Sequence, residues 1–299
     1  MTPPTVHTVS TQTVAANGLE IAYETFGRPA DPALVLIMGL GTQMIAWPDE
    51  MCRNLADRGR FVVRYDNRDC GLSTHLAGIP APSIGEIVMR RRPPPYRIDD
   101  MAADCVGLID ALGLSRVELV GASMGGFIAQ TVALQHPERI RTLTLMMTST
   151  GSRLVGQARP KLAPRLLRRR AAASDRAAAG AMVVETFGLI GSGGYPRDED
   201  YLRDLGARSY DRSYDPAGYL RQLAAVTAQP DRTRDLSRIT VPTLVLHGLH
   251  DPLVRFSGGV ALARAIPGAR LVGFSGMGHD LPRALWPVFV NEITELAEV

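Results

Sequence analysis

Arg116-Val117-Glu118-Leu119-Val120-Gly121-Ala122-Ser123-Met124-Gly125-Gly126 is the stretch on which the reading of this chain turns. Residues 116–120 read as a strand, and Met124–Gln135, closed by Pro137, reads as a helix. Glycines two before and two after Ser123 permit the sharp strand-to-helix bend that lifts a serine clear of a sheet. A serine hydroxyl is a weak nucleophile, so it must stand where a base can reach it and where a helix N-terminus offers backbone N–H groups. The plainer alternative is a glycine-rich turn with an incidental serine. Placement between strand and helix, more than the letters themselves, favours the nucleophile.

Outward from this bend, short β-rich runs alternate with amphipathic helical segments, the pattern of a parallel sheet wrapped by helices. Before it come strands at Leu19–Phe26, 33–38 and Phe61–Tyr65, with helices at 48–58 and 98–112. Pro48 suits a first helical turn, and Gly59 and Gly113 are stop signals. A strand follows at 142–147. The pattern resumes with strands at 242–247 and Arg270–Phe274 and helices at 258–265 and 285–297. Residues 151–237 differ, being Ala- and Arg-rich, strand-poor and broken by Ser192-Gly193-Gly194-Tyr195-Pro196. The expected organisation is therefore a core of residues 1–150 and 238–299 carrying a helical cap insertion at 151–237. Residues 79–96, with Pro93-Pro94-Pro95, read as a loose loop.

Composition narrows the class. The chain has 299 residues, 45% hydrophobic and 21% charged, as expected of a globular protein with a sizeable core. Its formal charge of +3 is too small to imply nucleic acid. The clusters Arg90-Arg91-Arg92 and Arg165 with Arg168-Arg169-Arg170 lack interleaved aromatics for base stacking and read as solvated faces. Cys52, Cys70 and Cys105 suggest neither a disulfide framework nor a metal knuckle. Residues 1–12 lack the basic start and apolar stretch of a secretory signal, and no apolar run approaches the ~20 residues of a bilayer span. A cytoplasmic protein without membrane insertion is expected; no feature of the sequence fixes an oligomeric state.

A serine nucleophile needs a base. Of the six histidines, His279 alone lies beyond every expected strand, in Gly276-Met277-Gly278-His279-Asp280 before the last helix. Its near-neutral imidazole can take the hydroxyl proton and return it to the leaving group. The imidazole in turn needs a carboxylate, and Asp251, in the loop after His247-Gly248, is best placed. Asp231 and Asp235 precede that strand, on the wrong side of its carboxyl end. For the oxyanion, two backbone donors are expected, each costing ~3 kcal/mol when removed. These are the N–H groups of Met124 and of Leu40 in Gly39-Leu40-Gly41.

Two other chemistries compete for the same residues. Gly39-Leu40-Gly41 after a strand, with Asp66 ending the next, is reminiscent of a dinucleotide fingerprint. Met44 replaces its third glycine, and Ile45-Ala46-Trp47-Pro48 separates the loop from its helix, which leaves pyrophosphate without a helix N-terminus. His247, His250 and Asp251 crowd together, but strand alternation is expected to send His247 away from the loop of Asp251. No metal and no cofactor are expected.

Taken together, the serine bend, Met38-Gly39-Leu40-Gly41, Tyr65-Asp66-Asn67-Arg68-Asp69-Cys70-Gly71-Leu72-Ser73, His250-Asp251-Pro252 and Gly276-Met277-Gly278-His279 resemble the α/β-hydrolase superfamily. Within it the chain is most similar to the esterase and lipase branch that contains aclacinomycin methylesterase. Many superfamily members have His-Gly where this chain has Met38-Gly39, a change this branch tolerates. The resemblance implies an α/β-hydrolase fold with Ser123, Asp251 and His279 as the triad, Leu40 and Met124 as oxyanion donors, and a small-molecule ester substrate, such as a methyl or short-chain ester. Pocket-facing candidates are Met44, Trp47, Met124, Met146, Met147, Leu253, Val254 and, from the cap, Phe187. Asp66 and Arg68 are assigned to structural ties. Thioesterase, peptidase, cofactor-free haloperoxidase and carbon–carbon bond hydrolase chemistry use the same triad and stay open, as does a non-catalytic ligand-binding protein.

Overall fold

The computed structural model describes residues 10–160, 162 and 173–298. His7, Lys161 and the Arg165 and 168–170 cluster lie outside the described residues. The first half contains β1 (Gln12–Ala16), β2 (Leu19–Phe26), β3 (Ala33–Ile37), α1 (Asp49–Asp57), β4 (Phe61–Tyr65), α2 (Ile84–Met89) and α3 (Ile98–Ala111). There follow β5 (Val117–Ala122), α4 (Met124–Gln135) and β6 (Ile140–Met146), then the helices α5 (Arg176–Ile190), α6 (Glu199–Arg212) and α7 (Pro216–Ala228). The chain then returns to the sheet with β7 (Thr243–Gly248), α8 (Ser257–Ala265), β8 (Arg270–Phe274) and α9 (Trp286–Leu296).

The strands form one sheet in the order β1-β2-β4-β3-β5-β6-β7-β8. β2 pairs antiparallel with β1 and β4, and every other neighbour pair is parallel. Parallel strands of this kind are buried on both faces, so β3 and β5 show no exposed position. Alternate side chains divide between two cores. Val35, Ile37 and Leu119 join α3, α4 and α8, whereas Leu34, Leu36 and Val120 join α1 and α9. Each buried leucine or isoleucine contributes about 2 kcal/mol of transfer free energy. α4 is buried almost all round, from Met124 to Ala133, which holds the residue before it against the sheet.

Several local expectations are corrected. β1 is an addition to the expected elements; it is short and mostly exposed, and is held as an antiparallel edge by the two-residue turn Asn17-Gly18, at φ 48° and 75°. Within the expected loop at 79–96, α2 forms because Ser83 and Glu86 make a reciprocal capping box. Pro48 is the N-cap of α1, with Asp49 opening the helix, because its ψ of 137° is extended. The ends of the other elements differ from expectation by a few residues, and β5 runs on to Ala122, directly beneath Ser123. No helix among the described residues is long and apolar enough to cross a membrane.

Candidate active site

β5 ends at Ala122 and α4 begins at Met124, so Ser123 is the whole bend. Its backbone has φ 54° and ψ −115°, a conformation costing a non-glycine residue about 1–3 kcal/mol, sustained here by surrounding packing. The flanking glycines are needed for close approach. A Cβ on Gly121 would lie 2.3 Å from the Gly125 carbonyl oxygen, and one on Gly125 would lie 2.2 Å from the Ile37 carbonyl oxygen. Below the bend, Ser123 N–H donates to the Met146 carbonyl at 2.9 Å, and the Thr148 hydroxyl donates to the Ser123 carbonyl at 2.8 Å.

Parallel strands deliver the partners from the same edge of the sheet. Asp251 follows β7 and His279 follows β8, while Ser123 follows β5. His279 Nε2 stands 3.0 Å from Ser123 Oγ, and its Nδ1 stands 2.7 Å from Asp251 Oδ2. A carboxylate only accepts, so the imidazole proton lies on Nδ1 and Nε2 is left to accept from the serine hydroxyl. Asp251 Oδ1 accepts the N–H groups of Leu253 and Val254, each at 2.8 Å. The carboxylate is buried and held on both oxygens, which fixes the plane of the imidazole.

The expected geometry of His247 is corrected. After Gly248 the chain turns back, Asp251 N–H donating to the Gly248 carbonyl and His250 N–H to the Met277 carbonyl. This return brings Asp251 Oδ2 within 3.8 Å of His247 Nε2, although strand alternation alone sends the ring toward α8. His247 Nε2 donates to the Val254 carbonyl at 2.7 Å, and burial lowers its pKa although that hydrogen bond and Asp251 oppose the shift. Its ring is therefore neutral near pH 7. His250 turns elsewhere, its Nδ1 accepting from Gly276 N–H.

The loop after β3 meets the bend because β3 and β5 are paired neighbours, Ile37 beside Gly121. Gly39 packs on Ser123; a Cβ there would sit 3.6 Å from Ser123 Oγ. Leu40 follows in that loop, and Met124 opens α4 beside the hydroxyl. Asp66 accepts the Met44 and Leu72 N–H groups and pairs with Arg212, which occupies the carboxylate that a ribose would need. Burial pushes its pKa up against these partners.

The alpha/beta hydrolase fold family matches residues 32–282 of the chain. The chain belongs to that family. It is 31% identical over 297 residues to rhodomycin D methylesterase DauP of Streptomyces sp. strain C5, covering 92% of this chain and 94% of the relative. It is 28% identical to 3-oxoadipate enol-lactonase 2 of Acinetobacter baylyi, over 85% of this chain and 84% of that one. Among solved structures it resembles the enol-lactonase of Burkholderia xenovorans LB400, with a TM-score of 0.76 and 25% identity, covering 96% of this chain and all of the other.

In this alpha/beta hydrolase the remaining candidates divide. Met147, at φ 41°, and Trp47 are buried in the layer shared with α1 and α9, and Met44 packs with Ile45 and Leu205 of α6. Phe187 and Val254 are half-buried, on α5 and on the loop after Asp251. Sequence reading missed Ser192. Its hydroxyl donates to Asp280 Oδ1 at 2.5 Å and accepts Gly278 N–H at 2.9 Å, while the Ile190 carbonyl accepts His279 N–H at 2.7 Å. The end of α5 thus grips the histidine loop on both sides of His279. Burial raises the Asp280 pKa, opposed by its bonds to Ser192. The break Ser192-Gly193-Gly194 was visible in the sequence, but its contact, Gly194 N–H to the Gly276 carbonyl at 3.0 Å, joins residues too distant in sequence to be read there.

The described residues also bring Asp69, His75 and Asp215 together. Arg221 fills that cluster, donating to both Asp69 oxygens at 2.8 Å and to Asp215 at 3.2 Å. A cation there would face a buried guanidinium.

Proposed function

We propose that the protein hydrolyses carboxylic esters through an acyl-enzyme on Ser123. The observation that carries this reading is the continuous relay Ser123–His279–Asp251, at 3.0 and 2.7 Å, on the strained bend of an alpha/beta hydrolase. Ser123 Oγ attacks the ester carbonyl carbon as its proton passes to His279 Nε2. The resulting imidazolium is stabilised by Asp251, and the oxyanion is held by the N–H groups of Met124 and Leu40, each contributing about 3 kcal/mol. Collapse expels the alcohol, which takes the proton from Nε2. Water then attacks the acyl-enzyme with His279 again as base, releasing the acid and regenerating the serine.

The methylesterase relatives support a methyl ester as the substrate class. We read α5, α6 and α7, inserted between β6 and β7, as a cap over the site. The enol-lactonase likeness supports a cyclic enol ester as a second reading, differing only in that the leaving oxygen stays tethered to the acyl group. The buried free cysteines suit the reducing cytoplasm. The test is a panel of p-nitrophenyl butyrate, an aromatic methyl ester, an enol lactone and a thioester, assayed with wild type and Ser123→Ala. Ester turnover in the wild type should fall by about 10⁶-fold in the variant. Turnover surviving the substitution rejects the mechanism, and preference for the thioester rejects the substrate class.

A further inference from the structure

We propose that α7 is a positioning element for the oxyanion loop and that Gln222 is the residue that sets it, an inference that rests on the ester-hydrolase reading of Ser123. Gln222 is fully buried between the insertion and the core. Its Oε1 accepts Gly41 N–H at 2.8 Å, and its Nε2 donates to the Arg68 carbonyl at 2.7 Å. Arg68 is itself fixed by a two-pronged bond to Asp104. A rigid line therefore runs from α3 through Arg68 and Gln222 to Gly41, the residue after Leu40.

Leu40 is held from both sides by this arrangement. Gly39 before it rests on Ser123, and Gly41 after it is anchored to Gln222, so the torsions that aim the Leu40 N–H are bounded at each end. Tyr219, one turn earlier on α7, closes over Gly41. A Cβ on Gly41 would lie 2.3 Å from its ring, and Gly41 has φ 62°, a conformation that only glycine adopts without cost. Farther along, Gln43 donates to the Ser209 and Ser213 carbonyls at 2.7 and 2.9 Å and accepts from Arg212 at 2.6 Å. These contacts tie the loop to the insertion at both Gly41 and Gln43. A donor aimed at the oxyanion acts only once charge has developed on that oxygen, so a misaimed one lowers kcat and spares KM.

Gln222→Met keeps the side-chain length and removes both hydrogen bonds. The expected result with p-nitrophenyl butyrate is a fall in kcat of about 10- to 100-fold with KM changed by less than about threefold. Affinity for a trifluoromethyl ketone, whose serine adduct places an oxyanion on the same donors, should fall by the same factor as kcat/KM. Unchanged kcat, or reduced kcat with undiminished ketone affinity, overturns the proposal. Gly41→Ala disturbs the same contact from the loop, its Cβ driven against the Tyr219 ring, and should reproduce the signature even if Gln222→Met fails to fold. Wild-type kinetics in a folded Gly41→Ala protein also overturn it. A wild-type enzyme that neither turns over the ester nor is trapped by the ketone fails at the earlier step, the hydrolase reading, and takes this inference with it.

Discussion

Replacing Asp251 by asparagine changes one atom in the relay, and the structure sets the size of the effect. The new side chain would keep its carbonyl oxygen toward the Leu253 and Val254 N–H groups, because those donors bind Asp251 Oδ1. Its amide nitrogen would then take the place of Oδ2, 2.7 Å from His279 Nδ1. Two donors cannot face each other there, so the ring must move its proton to Nε2, where it points at Ser123 Oγ and can no longer accept. Losing the working tautomer costs about 10⁴-fold in kcat, or about 5.5 kcal/mol. Residual turnover from the oxyanion donors should remain above the Ser123→Ala background. Steady-state hydrolysis of p-nitrophenyl butyrate by Asp251→Asn measures it, with a thermal melt to show that the fold is kept. A loss smaller than about tenfold would mean that Asp251 does not set the His279 tautomer.

Two further outcomes follow from the geometry. Gly125→Ala drives a Cβ to 2.2 Å from the Ile37 carbonyl oxygen, so urea unfolding should show a loss of about 2–3 kcal/mol and esterase activity should fall with it; a neutral result would deny that the bend needs this close approach. His75 places Nδ1 against Asp215 and Nε2 against the Gly71 carbonyl, with Asp69, Arg221 and the Ser213 hydroxyl also nearby. Burial lowers its pKa, but those two bonds together with the negative charges of Asp215 and Asp69 outweigh it and the net shift is upward. The stability His75 contributes is therefore complete below its ordinary value of 6.5 and is lost as pH rises through the raised value. His75→Gln should flatten that part of the Tm–pH curve, and an unaltered curve would remove His75 as its source.

Much of this architecture was legible because the relevant signals are local. The bend at Ser123 needs small neighbours at fixed spacing, and β3 and β4 announce themselves as short apolar runs ended by turn residues. The positions of Asp251 and His279 beyond strand ends followed from parallel topology. What escaped was either weakly patterned or long-range. β1 is mostly exposed, so it has almost no apolar period, and its Asn17-Gly18 turn was the signal to weigh. The Ser83 and Glu86 spacing of a capping box is present in the sequence, but the reading of that stretch rested on its prolines alone. His247 was misplaced because alternation describes a strand and says nothing of a loop that folds back over its end. Ser192 and Gln222 act on loops 86 and 181 residues away, pairings that no periodicity encodes.

The central claim is that Ser123 Oγ is the nucleophile, and covalent capture tests it most directly. Incubation with a fluorophosphonate followed by mass mapping should place the adduct on Ser123 alone, with no labelling of Ser123→Ala and strongly slowed labelling of His279→Ala. An adduct on another residue, or undiminished labelling of Ser123→Ala, would contradict the account.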